Sequence, residues 1–318
     1  MLTRRLALAA ALASPVLPAL ATGGFDLFLA SLRVEAAHAG IRREVIEAAL
    51  TGLTPNADVI RLDRHQPEFT LTWAQYRARV LPARRLAAAR DHYARNETLF
   101  TEIGTHYGVD PGVIIGIWGL ESGFGVNTGG FSVVQALATL AYDGRRAAFF
   151  RGELLNALRI LNDGDVTTRR MTGSYAGAMG QPQFMPSAYL HYAVDYDGDG
   201  RRDIWTSLPD VFASVANYLA RCGWHAGEPW GQPVLIPAGY SGPSGRDAMR
   251  PLGHWQAAGI RRIDGRPFSR ADVPAALVLP DGAGGEAYMV YHNFHVIRRY
   301  NPSDFYALAV GLLGYEAA

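Results

Sequence analysis

Apolar residues in the first third of the chain recur at every third or fourth position, from Gly24 to about Leu99. This spacing gathers apolar side chains on one face of a helix and predicts amphipathic helices. Ala-rich runs such as 86–89 favour helix further, because alanine has the highest helix propensity. The pattern predicts an N-terminal helical domain over residues 22–100. The residues that carry it are Phe25, Leu27, Phe28, Ala30, Leu32, Val45, Ile46, Ala49 and Leu50.

The helical pattern continues beyond residue 100. Asp110 followed by Pro111 is typical of an N-cap with a proline at the first helical position. The helix that they open, 112–121, is apolar on every face, so we expect it to be buried. These segments predict a central domain over 101–222. Further helices are predicted at 133–140, 145–161, 209–221 and 303–313.

The composition changes after Trp224, where glycine and proline become frequent between short apolar runs. Such runs, at 234–236, 276–279 and 287–291, are typical of short strands joined by turns. The predicted fold class is therefore mainly α (α+β). It consists of a helical body, a small β-rich subdomain inserted at 223–293, and a C-terminal segment, 294–318, that packs back on the body.

The first 21 residues have the pattern of a signal peptide. A positive start, 1–5, precedes the apolar run 6–20, and Ala19-Leu20-Ala21 supplies a signal-peptidase site. The alternative is a membrane anchor, but the run is short and contains two prolines. No cysteine follows the apolar run to carry a lipid, and no later apolar run is long enough to span a bilayer. The sequence therefore predicts a periplasmic protein. The single cysteine, Cys222, cannot form an internal disulfide and is expected to be a buried apolar residue.

The charge balance excludes some ligands. Lysine and arginine number 30 against 29 acidic residues, which gives a net charge of +1. A near-neutral chain has no electrostatic footprint for nucleic acid and no general attraction to anionic membranes. A polymeric ligand would have to be held by shape, stacking and hydrogen bonds.

Glu121 ends the apolar helix, and three effects raise its pKa. Burial disfavours the ionised carboxylate, the C-terminal end of the helix repels negative charge, and Ile117 and Trp118, one turn back, supply apolar walls. A raised pKa suits a general acid at neutral pH. A glutamate that only caps or bridges structure is the alternative. Gly123 and Gly125 favour catalysis, because they would open the backbone around the carboxyl to a cleft.

A segment at 173–189 combines small residues with neutral polar and aromatic side chains. Small residues permit close approach to a ligand, and this mixture is what a polyhydroxylated sugar chain requires. A tight helix–helix junction is the alternative. The polar side chains are Ser174, Gln181 and Gln183, and the aromatic ones are Tyr175, Phe184 and Tyr189.

Residues 195–206 fit an EF-hand calcium loop at most positions. Acidic residues at loop positions 1, 3, 5 and 9 and glycine at position 6 match the motif. Position 12 departs from it, because Thr206 stands where a bidentate acid belongs; Asp203 or Asp210 would have to compensate. A metal-free acidic turn is the alternative. The acids are Asp195, Asp197, Asp199 and Asp203, and the loop contains no set of zinc ligands.

A fourth segment, 291–301, is rich in aromatic residues and asparagine and would line a cleft or pack the last helix. Other chemistries leave no trace. The sequence has no Gly-x-Ser-x-Gly nucleophile elbow, no phosphate-binding loop and no dinucleotide fingerprint.

These four segments, in this order, resemble the membrane-bound lytic transglycosylase B family (glycoside hydrolase family 103), in a soluble form without the lipid anchor. The resemblance runs from about Phe25 to the C-terminus. Its most specific motif is Gly-Ala-Met-Gly at 177–180 followed by Gln-Phe-Met-Pro-Ser at 183–187. Supporting motifs are Gln-Pro-Glu-Phe at 66–69, the helix at 136–143 and Ser-Val-Ala-Asn-Tyr at 214–218.

The resemblance implies a lysozyme-like catalytic core carrying an EF-hand loop. It also implies non-hydrolytic cleavage of the MurNAc–GlcNAc β-1,4 bond of peptidoglycan, which leaves a 1,6-anhydromuramic end. By motif, Glu121 would be the catalytic acid/base. The implied substrate-binding residues are Ser122, Ser174, Met179, Gln183, Tyr218 and Tyr300. The implied calcium ligands are Asp195, Asp197, Asp199 and the Arg201 carbonyl, with Asp203 as a candidate fifth. The family commonly has tyrosine where this chain has His295.

Glycosidases that hydrolyse this bond use two carboxylates, whereas only Glu121 stands in a suitable context here. A single Glu serves as acid and then as base if the C6 hydroxyl of the substrate is the nucleophile. The rivals are a lysozyme-type hydrolase and a non-catalytic cell-wall glycan-binding protein. We expect peptidoglycan strands as the partner, no catalytic cofactor, a structural Ca²⁺, a monomer, and cell-wall synthesis proteins as further partners.

Overall fold

The computed structural model of the chain describes residues 22–65 and 71–318. The predicted signal peptide, 1–21, and the Gln-Pro-Glu-Phe motif, 66–69, lie outside the described residues. The predicted mainly α class is confirmed. Across the described ranges, no helix is both long enough and apolar enough to cross a membrane.

The helices and strands follow one another along the chain in a fixed order. The first part contains α1 (Thr22–His38), α2 (Arg43–Leu50), α3 (Ala57–Arg64), α4 (Trp73–Val80), α5 (Ala83–Arg95), α6 (Glu97–Tyr107) and α7 (Pro111–Ser122). The middle contains β1 (Phe131–Ser132), α8 (Val133–Asp143), α9 (Ala147–Asp163), β2 (Thr172–Gly173), α10 (Pro186–Tyr192) and α11 (Leu208–Arg221). The last part contains β3 (Gly231–Leu235), β4 (Arg250–Pro251), α12 (Leu252–Ala257), β5 (Arg261–Arg262), β6 (Pro274–Val278), β7 (Ala287–Val290), α13 (His292–Tyr300) and α14 (Asp304–Ala317).

Helix α7 is the centre of the first hydrophobic core and is buried along most of its length, as its uniform apolarity predicts. Asp110 caps it by accepting a hydrogen bond from the Gly112 amide at 2.8 Å. Glycines let α14 approach it closely, because a Cβ at Gly116 would overlap the carbonyl oxygen of Val310. Residues of α4–α6, α11, α13 and α14 belong to the same core, and β6 and β7 contribute Ala276, Val278, Tyr288 and Val290 to it.

A second core gathers α1–α3 against α8, α9 and α10. The helices of residues 22–100 therefore divide between the two cores: α1–α3 belong to the second and α4–α6 to the first. Tyr218 and Tyr300 pack against both cores and so lie on the boundary between them.

The inserted β unit contains one antiparallel sheet of five strands, in the order β4-β6-β7-β3-β5. The predicted strand segments at 234–236, 276–279 and 287–291 correspond to β3, β6 and β7. Its own core packs around Trp255, whose indole nitrogen donates to the Ala275 carbonyl oxygen at 2.9 Å.

The turn between β6 and β7 fastens α4 to the β unit. The carboxylate of Asp281 accepts hydrogen bonds from the amides of Trp73 and Ala74 at 2.6 and 2.9 Å. Both amides belong to the first turn of α4, where N–H groups lack partners within the helix. The Trp73 indole also donates to Glu286 at 2.6 Å, and Arg77 pairs with the same carboxylate. The start of α4 is therefore held by the β unit.

One prediction about the core is wrong. Cys222, expected to be buried, is only half-buried. It is the C-cap residue of α11, where the helix ends at the surface, and its sulfur lies 3.9 Å from the Tyr192 hydroxyl.

Candidate active site

Glu121 occupies the last turn of α7, which ends at Gly123 in the left-handed conformation (φ 59°). The Tyr306 hydroxyl donates a hydrogen bond of 2.6 Å to its Oε1. Tyr306 stands in the first turn of α14, where its amide donates to the hydroxyl of the N-cap residue Ser303. The close packing of α7 and α14 thus brings together two residues that are far apart in sequence.

Burial raises the pKa of Glu121 to about 7, and the hydrogen bond from Tyr306 opposes the rise. Desolvation destabilises the carboxylate, whereas a donor to the carboxylate stabilises it. A second carboxylate is not among these causes for the described part of the chain. At neutral pH the group is divided between acid and base forms, as proton donation followed by proton acceptance requires.

Three tyrosines surround this carboxyl. The negative charge of Glu121 contributes to raising the pKa values of Tyr76, Tyr300 and Tyr306, although burial is the larger cause for each. Of the three, only Tyr300 was predicted from the sequence. Tyr76 is on α4, and Tyr306 is 185 residues from its partner, so no local spacing signals either.

The turn after Glu121 has a different role from the one predicted for it. Gly123, Phe124 and Gly125 all have positive φ, of 59°, 63° and 84°. A Cβ at Gly125 would overlap the side chain of Gln181, so this glycine permits tight packing and does not open a cleft. The Phe124 ring packs edge-on against Trp118 at 5.3 Å between centroids.

Some predicted sugar-binding side chains face the interior. Ser122 is fully buried; its hydroxyl donates to the Trp118 carbonyl oxygen and accepts from the Gly125 amide. Gln181 accepts from the Trp118 indole at 2.7 Å and donates to the Trp205 carbonyl oxygen at 2.9 Å. Met179 is also fully buried. Ser122 and Met179 thus have no exposed surface in this structure, and their predicted role in binding glycan stays a prediction.

Ser174 and Gln183 remain half-buried in the same segment. The Ser174 hydroxyl accepts from the Ala178 amide at 3.1 Å. Gln183 has φ of 53° and donates through Nε2 to the carbonyl oxygens of Gly180 and Thr128, at 2.8 and 3.1 Å. A non-glycine residue in the left-handed region is uncommon and often marks a functional position.

The structure brings the other predicted aromatic residues to this segment. The rings of Tyr218 and Tyr300 lie 4.7 Å apart between centroids, and each is within 6 Å of Phe184. The Tyr300 hydroxyl donates to the Pro182 carbonyl oxygen at 2.6 Å. In contrast, His295 interacts with Asp247 of the β unit.

The acidic loop closes on itself through backbone hydrogen bonds. Asp195 accepts from the amides of Gly198 and Gly200, both of which have positive φ, at 2.8 and 2.9 Å. Carboxylate oxygens of Asp195, Asp197 and Asp210 come within 4.8 Å of one another.

The remaining predicted metal ligands do not join that group. Asp199 accepts from the Arg201 amide at 2.9 Å, and Asp203 accepts from the amides of Trp205 and Thr206 at 2.9 Å each. The side chains of Asp199 and Asp203 lie outside the group formed by Asp195, Asp197 and Asp210, and their role as calcium ligands stays a prediction. The Arg201 carbonyl stays a prediction.

Asp210 is the fully buried member of the group. It accepts hydrogen bonds from the amides of Tyr196, Asp197 and Asp203, at 2.8, 3.4 and 2.8 Å. Burial raises its pKa to about 6, against the effect of these bonds. Three carboxylates with oxygen donors directed together are the ligand chemistry that Ca²⁺ prefers.

Comparisons of the sequence and the fold with known proteins identify relatives of this chain. The family model for the transglycosylase SLT domain matches residues 24–315. Membrane-bound lytic murein transglycosylase B of Escherichia coli (strain K12) is 34% identical in an alignment of 260 residues that covers 77% of this chain and 67% of that protein. SltB3 from Pseudomonas aeruginosa, solved in complex with NAG-anhNAM-pentapeptide, is 42% identical with a TM-score of 0.88, covering 92% of this chain and 79% of that chain. The Escherichia coli lytic transglycosylase Slt35, solved in complex with calcium, is 31% identical with a TM-score of 0.77, covering 93% of each chain.

The fold and the site therefore define a lysozyme-like lytic transglycosylase, which confirms the predicted fold and enzyme class. The chain belongs to the transglycosylase SLT domain family.

Proposed function

We propose that this enzyme cleaves the MurNAc–GlcNAc β-1,4 bond of peptidoglycan without water, with Glu121 as its only acid/base, and leaves a 1,6-anhydromuramic end. The observation that carries the proposal is the state of Glu121. It is a single carboxyl, held by one phenol, with a pKa raised to about 7 by burial.

In the first step, protonated Glu121 donates its proton to the glycosidic oxygen as the bond breaks toward an oxocarbenium-like state. The N-acetyl carbonyl of the substrate stabilises the developing positive charge. The Tyr306 hydroxyl holds the glutamate in place and stabilises the carboxylate that forms.

In the second step, ionised Glu121 accepts the proton of the C6 hydroxyl of the same sugar, and that oxygen attacks C1 to close the anhydro ring. One C–O bond is broken and one is formed, and the proton returns to the enzyme. Attack within one sugar has a high effective molarity, so no bound water is needed.

The glycan would lie along the half-buried residues of the 173–189 segment. Ser174 and Gln183 supply hydrogen bonds, while Tyr218 and Tyr300 supply aromatic faces. Sugar rings stack on aromatic faces, and neutral donors match sugar hydroxyls. The complex of SltB3 with an anhydro-sugar ligand supports this assignment over a hydrolase.

The proposal is tested by digesting purified sacculi with wild type and Glu121→Gln and weighing the products. Wild type should release anhydro-muropeptides, and the variant should be slower by about 10³-fold, because a general acid contributes on the order of 10²–10⁴. Products one water heavier would establish the hydrolase instead. Binding to sacculi without turnover by wild type would establish the glycan-binding protein.

The acidic loop fits a structural calcium ion held by Asp195, Asp197 and Asp210, and the relative solved with calcium supports this assignment. The ion would neutralise three neighbouring carboxylates and fix the start of α11. It supplies no step of the reaction, and we propose no catalytic cofactor.

The N-terminal pattern and the cell-wall relatives support export to the periplasm through cleavage of residues 1–21. Action as a monomer on glycan strands is proposed, with cell-wall synthesis proteins as further partners.

A further inference from the structure

Helices α4 and α5 form the most basic stretch of the enzyme. Between residues 73 and 95 there are six arginines and one aspartate, in a chain whose net charge is only +1. The arginines are Arg77, Arg79, Arg84, Arg85, Arg90 and Arg95.

Only some of these charges are neutralised by carboxylates. Arg77 pairs with Glu286, and Arg90 lies 3.3 Å from Glu316. Within the described part of the chain, Arg84, Arg85 and Arg95 form no ion pair. Arg84 and Arg95 are exposed and keep their hydration, whereas Arg85 is half-buried. A partly desolvated cation without a counter-ion is unfavourable unless a ligand supplies the anion.

Arg85 is held in place. One of its terminal nitrogens donates to the Val80 carbonyl oxygen at 2.6 Å, at the end of α4. A guanidinium has five N–H donors in a planar fork, so most of them stay available beyond this bond. Burial, and then the charge of Arg84, lower the pKa of Arg85, which agrees with a cation lacking an acidic neighbour.

The position of Arg85 connects it to the catalytic site. Val80 is one helical turn after Tyr76, so both lie on the same face of α4. The charge of Glu121 raises the pKa of Tyr76 and the charge of Arg85 lowers it. The Tyr76 ring packs against the Phe305 ring at 5.6 Å between centroids. Tyr306, which follows Phe305, donates its hydroxyl hydrogen bond to Glu121.

We propose that Arg85, with Arg84 beside it, binds a carboxylate of the peptidoglycan strand while the glycan occupies the catalytic site; this inference rests on the proposed function. A guanidinium held at one nitrogen can offer two parallel N–H groups to a carboxylate, which is the strongest hydrogen-bonded pairing available to a side chain.

Two parts of the strand supply this chemistry. The ligand of SltB3 carries a pentapeptide, and a peptide ends in a free carboxylate. A muramic sugar without its peptide instead exposes the carboxylate of its lactyl group. The lactyl carboxylate lies directly on the sugar whose bond is cleaved, and the peptide carboxylate lies within the reach of a five-residue chain from that sugar.

The test compares steady-state kinetics on soluble peptide-bearing strands and on strands stripped of peptide. Arg85→Gln should raise KM about 10-fold, the effect of losing one charge-assisted pairing, with kcat kept and anhydro products unchanged. Arg85→Lys should restore part of the loss. Arg95→Gln is the matched control, because it removes an unpaired positive charge ten residues along the same helix.

The two substrates, peptide-bearing and stripped strands, distinguish the two sources of the carboxylate. Loss on peptide-bearing strands alone assigns the peptide carboxylate, and loss on stripped strands alone assigns the lactyl group. No loss on either, or an equal loss in Arg95→Gln, overturns the proposal. Glu68 lies outside the described residues, so the variant Glu68→Gln is included as a further control. If Glu68→Gln and Arg85→Gln both lower Tm and leave KM unchanged, Arg85 forms an internal ion pair with Glu68 and the proposal is wrong. Failure of the proposed function would appear differently, as wild type without anhydro products.

Discussion

Glu121 and Asp210 are both poorly solvated carboxylates at helix ends, and burial raises the pKa of each, to about 7 and about 6. Their surroundings differ. Glu121 is in the last turn of α7, where the helix dipole disfavours its charge, and its one hydrogen bond within residues 22–65 and 71–318 comes from a phenol. Asp210 is in the first turn of α11, where the dipole favours its charge, and it accepts from three backbone amides.

The difference separates a reactive carboxyl from a structural one. Backbone amides cannot give up their protons or move away, so Asp210 is fixed as an acceptor that ties loop to helix. The single phenol on Glu121 leaves lone pairs available and lets the carboxyl be neutral or charged. A raised pKa alone does not mark a catalytic acid; the number and kind of its donors do.

The largest effect that would test this comparison is on stability. Asp210→Asn should lower the free energy of unfolding by about 3 kcal/mol, because an amide group turned toward backbone N–H groups leaves at least one of them unsatisfied. Urea denaturation measures the loss. Glu121→Gln is the control and should stay within about 1 kcal/mol of wild type, since its oxygen can still accept from Tyr306. A larger loss of unfolding free energy in Glu121→Gln than in Asp210→Asn would contradict the assignment of Asp210 as the structural carboxylate and Glu121 as the reactive one.

A smaller effect concerns the pH dependence of activity. The Tyr306 hydrogen bond stabilises ionised Glu121, so Tyr306→Phe should raise the pKa of Glu121 above about 7. The acid form of Glu121 then persists to higher pH, and the alkaline limb of the kcat/KM profile should shift to higher pH. The rate at the optimum should fall about 10-fold, equivalent to about 1.4 kcal/mol.

The pH profile of Tyr76→Phe provides the comparison, because Tyr76 makes no hydrogen bond to Glu121 in the described structure. Its alkaline limb should stay in place. A downward shift in Tyr306→Phe would contradict the assigned role of the phenol.

The smallest expected effect is that of calcium. If Ca²⁺ binds at Asp195, Asp197 and Asp210, a concentration about ten times the dissociation constant should stabilise the fold by about 1.4 kcal/mol. Thermal unfolding with Ca²⁺, with chelator and with Mg²⁺ measures it. Asp210→Asn should abolish the response, while kcat of folded enzyme should be unaffected. A loss of kcat on chelation would give the ion a role beyond structure.

The sequence was most informative where one short segment contained the whole signal. The cap at Asp110, the uniform apolarity of α7 and the terminal Glu121 could all be predicted, because helix burial follows from local pattern. The short strands of the β unit were predicted for the same reason.

Contacts between distant segments and the facing of loop side chains could not be predicted. Tyr306 reaches Glu121 only because glycines on α7 admit α14. The resemblance implied that Ser122, at the end of α7, and Met179 lie at the glycan, but a motif match does not show which way a side chain faces, and both are fully buried. Likewise, the loop motif could not show that Asp210 turns inward while Asp203 caps the end of the loop.

The attachment of α4 to the β6–β7 turn limits how this enzyme could be shortened. A minimal catalytic fragment without the β unit would lose Asp281, the acceptor for the Trp73 and Ala74 amides. The helix that carries Tyr76 toward Glu121 would keep the capping box formed by Thr72 and Gln75, but the first two amides of the helix would lose their acceptor. An engineer removing the insertion would have to supply another acceptor for these two amides, because the β unit holds the N-terminal end of a helix that borders the site.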